Sequence, residues 1–72
     1  MQPDGDKELL DRILRELKAS DDIVSLDYIN IDVVDGVVLL GGMTDSLEER
    51  EIIEEIIEGT PGVKGVMNAI DI

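Results

Sequence analysis

The sequence predicts an α+β fold with the element order α-β-β-α-β, in which two helices pack on one face of a three-stranded mixed sheet. Three observations lead to this prediction: a helical apolar stripe near the N-terminus, two alternating apolar runs joined by Asp35-Gly36, and a capped helix followed by a third alternating run. With 72 residues the chain can form one small core. We expect a flexible N-terminal tail over residues 1–5 and a single domain over residues 6–72.

The first helix is predicted to begin with Asp6 as its N-cap and to end near Ala19. Its apolar side chains recur at helical spacing, as expected for a helix lying on a core: Leu9, Leu10, Ile13, Leu14 and Leu17. Four of the six basic residues of the chain fall mostly on the opposite side of this helix: Lys7, Arg12, Arg15 and Lys18. An irregular link is expected to tuck under the core through Ile23, Val24 and Leu26.

Two strands are predicted to form a hairpin at Asp35-Gly36, because an Asp-Gly pair between alternating apolar runs is a strong hairpin signal. The first strand covers about Tyr28 to Val34, and Gly36 takes the positive-φ position of the turn. A two-residue turn sets the register as Val34–Val37, Val33–Val38, Ile31–Leu40 and Ile29–Gly42. One face then carries Ile29, Ile31, Val33, Val38 and Leu40, and the other carries Asn30, Asp32, Val34, Val37 and Leu39.

The second helix is predicted over Leu47 to Glu58, because Ser46 and Glu49 have the spacing of a capping box. Its apolar seam consists of Ile52, Ile53, Ile56 and Ile57. Gly59 and Pro61-Gly62 are expected to end it.

The third strand is predicted over Val63 to Ile72, and a right-handed crossover would place it parallel to the second strand. Its inward row is Val66, Asn68, Ile70 and Ile72, and its outward row is Met67, Ala69 and Asp71. Asn68 interrupts the apolar row, so we expect its amide to bond backbone near a turn or helix end, with a ligand contact as the alternative.

The composition argues against several functions. Eighteen acidic and six basic residues give a net charge of −12, and Tyr28 is the only aromatic residue, so nucleic acid is not an expected partner. Without His or Cys, no catalytic residues and no cofactor are predicted. The start of the chain does not resemble a signal peptide, which predicts either a cytoplasmic protein or a domain cut from a longer chain.

Acidic side chains crowd the second helix, and a solvated helix face accounts for them: Glu48, Glu49, Glu51, Glu54, Glu55 and Glu58. Asp27, Asp32 and Asp35 lack the spacing of a calcium loop, so no specific metal site is predicted. A domain whose stability responds weakly to cations remains as an alternative interpretation.

The candidate functional feature is the sheet face turned away from the helices. It should carry an interaction patch with little polar interruption, formed by Val34, Val37, Leu39, Met67 and Ala69. If both helices cover the other face, this patch is exposed and indicates a protein or membrane contact. The alternative is that sheet twist or the N-terminal tail covers it.

These residues resemble the BON domain, named for bacterial OsmY and nodulation proteins. The likeness lies in Ile31-x-Val33-x-x-Gly36-x-Val38-x-Leu40-x-Gly42, in Ser46 with Arg50, and in Gly62-Val63-x-x-Val66-x-Asn68-x-Ile70-x-Ile72. The resemblance implies an α-β-β-α-β domain without catalytic activity, found in cell-envelope proteins, that binds phospholipid surfaces or partner proteins. Within it, Gly36 and Gly42 are expected to serve structure, with Gly42 letting the chain bend away from the sheet.

Two functional hypotheses follow. The first is a protein-interaction module that uses the open sheet face to bind another protein or a second copy of itself. The second is a lipid-surface module, which the resemblance implies and the net charge disfavours. Basic residues that would suit a lipid surface occur together only in the first helix, at Lys7, Arg12, Arg15 and Lys18.

Overall fold

The computed structural model describes residues 3–72, and side chains from residue 5 onward. Its elements are α1 (Pro3–Lys18), a 3₁₀ turn (Leu26–Tyr28), β1 (Ile29–Val34), β2 (Val37–Gly42), α2 (Leu47–Glu58) and β3 (Gly65–Asn68). The predicted order α-β-β-α-β and the α+β class are confirmed.

The sheet has the strand order β1-β2-β3. β1 and β2 are antiparallel in the predicted register, with Val34 opposite Val37 and Ile29 opposite Gly42. Asp35 and Gly36 both have positive φ, 51° and 84°, which is the backbone conformation of a type I′ turn. β3 runs parallel to β2, as the right-handed crossover through α2 predicts.

The core lies between the helices and one face of the sheet. It consists of Leu9, Ile13 and Leu17 from α1, Val33, Val38 and Leu40 from the hairpin, Ile53 and Ile57 from α2, and Ile70 after β3. Burial alternates along β2, since Val38 and Leu40 are buried while Leu39 between them is exposed. The helices therefore cover one face of the sheet and leave the other uncovered in the described chain.

The beginning of α1 differs from the prediction. Residues 3–5 are the first turn of the helix and not a loose tail, and Asp6 is not the N-cap. Proline is well suited to a first helical turn, where its missing N–H would have no helical partner. The remaining residues of the predicted tail, Met1 and Gln2, lie outside the described residues.

The third strand is shorter than predicted, since it spans only Gly65–Asn68. A single parallel bridge between Met43 and Asp71 continues its register after a gap. Ile72, predicted to face the core, is 59% exposed because the chain has passed the last strand pairing. Val24 was also wrongly placed under the core, since it is 74% exposed while its neighbour Ile23 packs against the core.

Candidate interaction face on the open side of the sheet

The five residues of the predicted patch lie on the uncovered face of the sheet. Val34, Leu39 and Met67 are 50%, 36% and 64% exposed, Ala69 is exposed, and Val37 is half-buried. Register brings them together, because Val34 lies opposite Val37 and Leu39 lies beside Met67 on β3. We call this set, Val34, Val37, Leu39, Met67 and Ala69, the open face. It forms a continuous apolar surface across three strands.

Sequence reasoning missed an extension of the open face at the far end of the hairpin. Met43 is 58% exposed and forms the parallel bridge to Asp71, in the outward register that Leu39 and Met67 also follow. Its N–H donates to the carbonyl oxygen of Tyr28 at 3.0 Å, and Tyr28 is itself 72% exposed. The available signal was the alternation of β2 continued past its two terminal glycines.

Carboxylates surround this apolar surface. Asp32 on β1 lies directly opposite Leu39, Asp71 lies beside Met43, and Asp35 occupies the hairpin turn. All three side chains are exposed. Two basic residues lie near its border: Lys64, whose N–H donates to the Gly36 carbonyl and whose aliphatic stem packs against Gly36, and Arg50, which donates to the Asn68 carbonyl. The open face therefore has an apolar centre and a mainly acidic rim.

The edges of the sheet carry side chains that occupy backbone groups. On β1 the Oδ1 of Asp32 accepts from the N–H of Val33 at 2.9 Å. At the end of β3 the Oδ1 of Asn68 accepts from the N–H of Ile70 at 3.1 Å, and Arg50 donates to the Asn68 carbonyl at 3.5 Å. Such contacts hinder the addition of a foreign strand at an edge. The edges of the sheet are therefore less suited to a contact than its uncovered face.

Asn68 is held by α2 as well as by its own strand. Its Nδ2 donates to the Oε1 of Glu54 at 2.7 Å, while its Oδ1 accepts from the backbone of Ile70. Both ends of the half-buried amide are thus satisfied within the domain. The backbone contact follows the expectation from sequence, whereas the bond to Glu54 was not predicted. Asn68 therefore fastens the end of β3 to α2.

The glycines of the structural motif, Gly36, Gly42 and Gly62, all have positive φ, which favours glycine. Gly42 has φ of 102°, and a Cβ at this position would collide with the Tyr28 carbonyl oxygen and lie 2.9 Å from the Cα of Ile29. Its requirement for glycine therefore comes from close approach to the start of β1 as well as from backbone conformation. Gly62, with φ of 100°, lies in the loop between α2 and β3.

Glu49 is the clearest correction to the predicted acidic face of α2. Its side chain is only 5% exposed, and its carboxylate accepts from the backbone N–H groups of Val24 at 3.0 Å and Ser25 at 2.7 Å. Ser46 does cap the helix, because its Oγ accepts from the Glu49 N–H at 3.2 Å. In a capping box the Glu49 carboxylate would also accept from the N–H of Ser46. Here that carboxylate accepts from Val24 and Ser25 instead. Glu49 thus anchors the α1–β1 link to α2.

Asp6 has a comparable role at the opposite end of the domain. Its two carboxylate oxygens accept from the backbone N–H groups of Asp35 at 3.0 Å and Gly36 at 3.1 Å. Successive N–H groups in a tight turn form a concave site that suits an anion. A carboxylate from α1 therefore fixes the tip of the hairpin.

An open cleft adjoins this contact, between the first turns of α1, the hairpin turn and the α2–β3 loop. Two of its polar side chains are already engaged, Asp6 with the turn and Arg12 with the Pro61 carbonyl at 3.0 Å. Within residues 3–72, no three acidic side chains converge in an arrangement that would hold a metal ion. No helix of this part of the chain is both long and apolar enough to cross a membrane.

The fold defines a small two-layer α+β domain with one uncovered sheet face. The family model of the BON domain matches residues 5–72, and the chain belongs to the BON domain family. BON domains are non-catalytic modules. A curated relative, osmotically-inducible protein Y of Escherichia coli strain K12, is 38% identical over 64 residues. That alignment covers 89% of this chain but 31% of the relative, so the chain spans about a third of its length.

Proposed function

We propose that this BON domain is a non-catalytic interaction module that docks a partner protein through the open face of its sheet. The observation that supports it is the arrangement of β2, where Val38 and Leu40 are buried in the core while Leu39 is exposed between apolar neighbours. An exposed apolar surface that spans three strands is costly to leave in water unless a contact uses it.

The acidic balance of the chain supports a protein partner over a lipid surface. The open face is flanked by Asp32 and Asp71, and an anionic membrane would repel both. The four basic residues of α1 lie on the helix side of the sheet, away from the open face.

Site-specific photo-crosslinking in the cell that produces the protein tests this proposal. A photoreactive side chain replaces Leu39 in one variant and Glu55, an exposed residue of α2, in the matched control. We expect discrete protein adducts from position 39 and none of the same mass from position 55. Adducts to lipid alone, or the same adducts from both positions, would contradict the proposal.

A substitution complements the crosslinking. Leu39→Asp places a charge in the centre of the open face, where the side chain is already partly in water, so the domain should stay folded while the adduct at a second position, Met67, disappears. Circular dichroism reports whether the variant is folded. A folded variant that retains the adduct would contradict docking through this face.

A further inference from the structure

We infer that the open face accepts a partner surface with an apolar centre and a basic rim, in preference to a second copy of this chain. The inference rests on the proposed function and names the chemistry of its partner. It is carried by the apolar side chains at the centre of the open face and by the three exposed carboxylates that border it, those of Asp32, Asp35 and Asp71.

The apolar centre is well suited to a contact with an irregular surface. Leu39 and Met67 lie side by side, and Met43 extends the same outward row. Methionine side chains are unbranched and polarizable, so they adapt to varied shapes. Methionine is also enriched in protein interfaces relative to the rest of a protein surface.

The rim supplies the charge. Asp32 lies across from Leu39, Asp71 lies beside Met43, and Asp35 lies at the turn next to Val34. The hydrogen bond that Asp32 accepts comes from the neutral N–H of Val33, so this bond does not neutralise the charge of the carboxylate. Carboxylates at the border of an apolar contact favour a partner that presents Lys or Arg at matching positions, and they raise its rate of association.

Most of the basic residues of the domain lie away from the open face. Four of the six belong to α1 on the other side of the core: Lys7, Arg12, Arg15 and Lys18. Arg50 donates to the Asn68 carbonyl, and Lys64 lies at the hairpin turn. Two copies that met through the open face would bring two acidic rims together, in chains that each carry a net charge of −12. Like charges at the rim oppose that pairing.

Three synthetic peptides test the inference with the whole chain. The first is an amphipathic helix of about 18 residues with Leu on one face and Lys on its flanks. The second replaces every Lys by Glu, and the third keeps Lys but replaces every Leu by Gln. Binding is followed by ¹⁵N and methyl chemical shifts at low and at high salt, which give both the affinity and the surface involved.

We expect the Leu/Lys peptide to shift the signals of Leu39 and Met67 and to bind at least about tenfold more tightly than the Leu/Glu peptide. High salt should reduce that difference, since it screens the exposed carboxylates. The double variant Asp32→Asn/Asp71→Asn should lower the affinity for the Leu/Lys peptide severalfold. The matched variant Glu51→Gln/Glu55→Gln, on the exposed side of α2, should leave it unchanged.

Each opposing result has a distinct meaning. Equal binding of the Leu/Lys and Leu/Glu peptides at the open face would overturn the inference that the partner has a basic rim. Docking of a protein through this face would still stand. Shifts confined to α2, or equal binding by the Lys/Gln peptide, would overturn the inference, because charge alone would then account for binding. Concentration-dependent shifts of Leu39 without peptide would identify a second copy as the occupant and also overturn it. Failure of both Leu-containing peptides to shift the open face would count against the inference and the proposed function together.

Discussion

The two faces of β2 carry the same pair of residue types but differ in burial. Val38 and Leu40 point to the helices and are 0% and 3% exposed, whereas Val37 and Leu39 point away and contact other residues of the sheet. The inner pair stabilises the domain, and we propose that the outer pair stabilises a complex. Residue type alone does not distinguish these roles. The positions of the helices distinguish the two faces, because both helices cover one face of the sheet and no described element covers the other.

The largest expected effect is on stability, and it differs between substitutions on the two faces of β2. Leu40→Ala should lower the free energy of unfolding by about 2–5 kcal/mol, because it leaves a cavity in a packed core. Leu39→Ala on the same strand should lower it by about 1 kcal/mol or less, since that side chain is partly in water and its removal leaves no enclosed cavity. Urea denaturation measures both. Equal losses would mean that Leu39 is part of a core and that the two faces of β2 do not differ in packing.

The next effect concerns the anchor between α2 and the α1–β1 link. Glu49→Ala should cost about 1–3 kcal/mol, because it leaves the N–H groups of Val24 and Ser25 without their acceptor. Glu48→Ala is the matched control, since Glu48 lies in the same first turn of α2 but is exposed. Both substitutions remove a negative charge near the helix N-terminus, so the difference between them isolates the buried contact. Similar melting temperatures for the two variants would contradict the anchor.

The smallest effect concerns the contact between α1 and the hairpin. Asp6→Ala should cost about 1 kcal/mol, because it removes two hydrogen bonds at a partly exposed site. Amide hydrogen exchange at Asp35 and Gly36 should become faster in this variant. Asp11→Ala, an exposed position on the same helix, should change neither quantity. Unchanged exchange at the turn would show that Asp6 does not hold it.

The sequence was sufficient for features that depend on neighbouring residues. The Asp35-Gly36 dipeptide predicted the turn and with it the register of β1 and β2, since a two-residue loop leaves one way to pair the flanking residues. Alternation then predicted which side chains of the hairpin face the helices. Ser46 likewise predicted the start of α2.

Contacts between distant segments were not predictable in the same way. Glu49 was assigned to a solvated acidic face because its neighbours are glutamates, but the link that buries it lies 24 and 25 residues earlier in the chain. Asp6 was predicted as an N-cap, and its true acceptor role depends on a turn about 30 residues later. In both cases the prediction used only neighbouring residues, whereas the carboxylate accepts hydrogen bonds from backbone N–H groups of a distant segment. The sequence also placed Ile72 on the inward row, because alternation does not reveal where pairing stops.

The solvent accessibility of individual methyl groups along β2 shows directly whether the open face is uncovered, and it can be measured by NMR with a soluble paramagnetic agent over a range of protein concentrations. If the open face is uncovered, Val37 and Leu39 should be strongly attenuated, Val38 and Leu40 should be protected, and this pattern should not change with concentration. Equal protection of Leu39 and Leu40 at the lowest concentration would show that the open face is covered within the chain. The open face would then not be available to a partner.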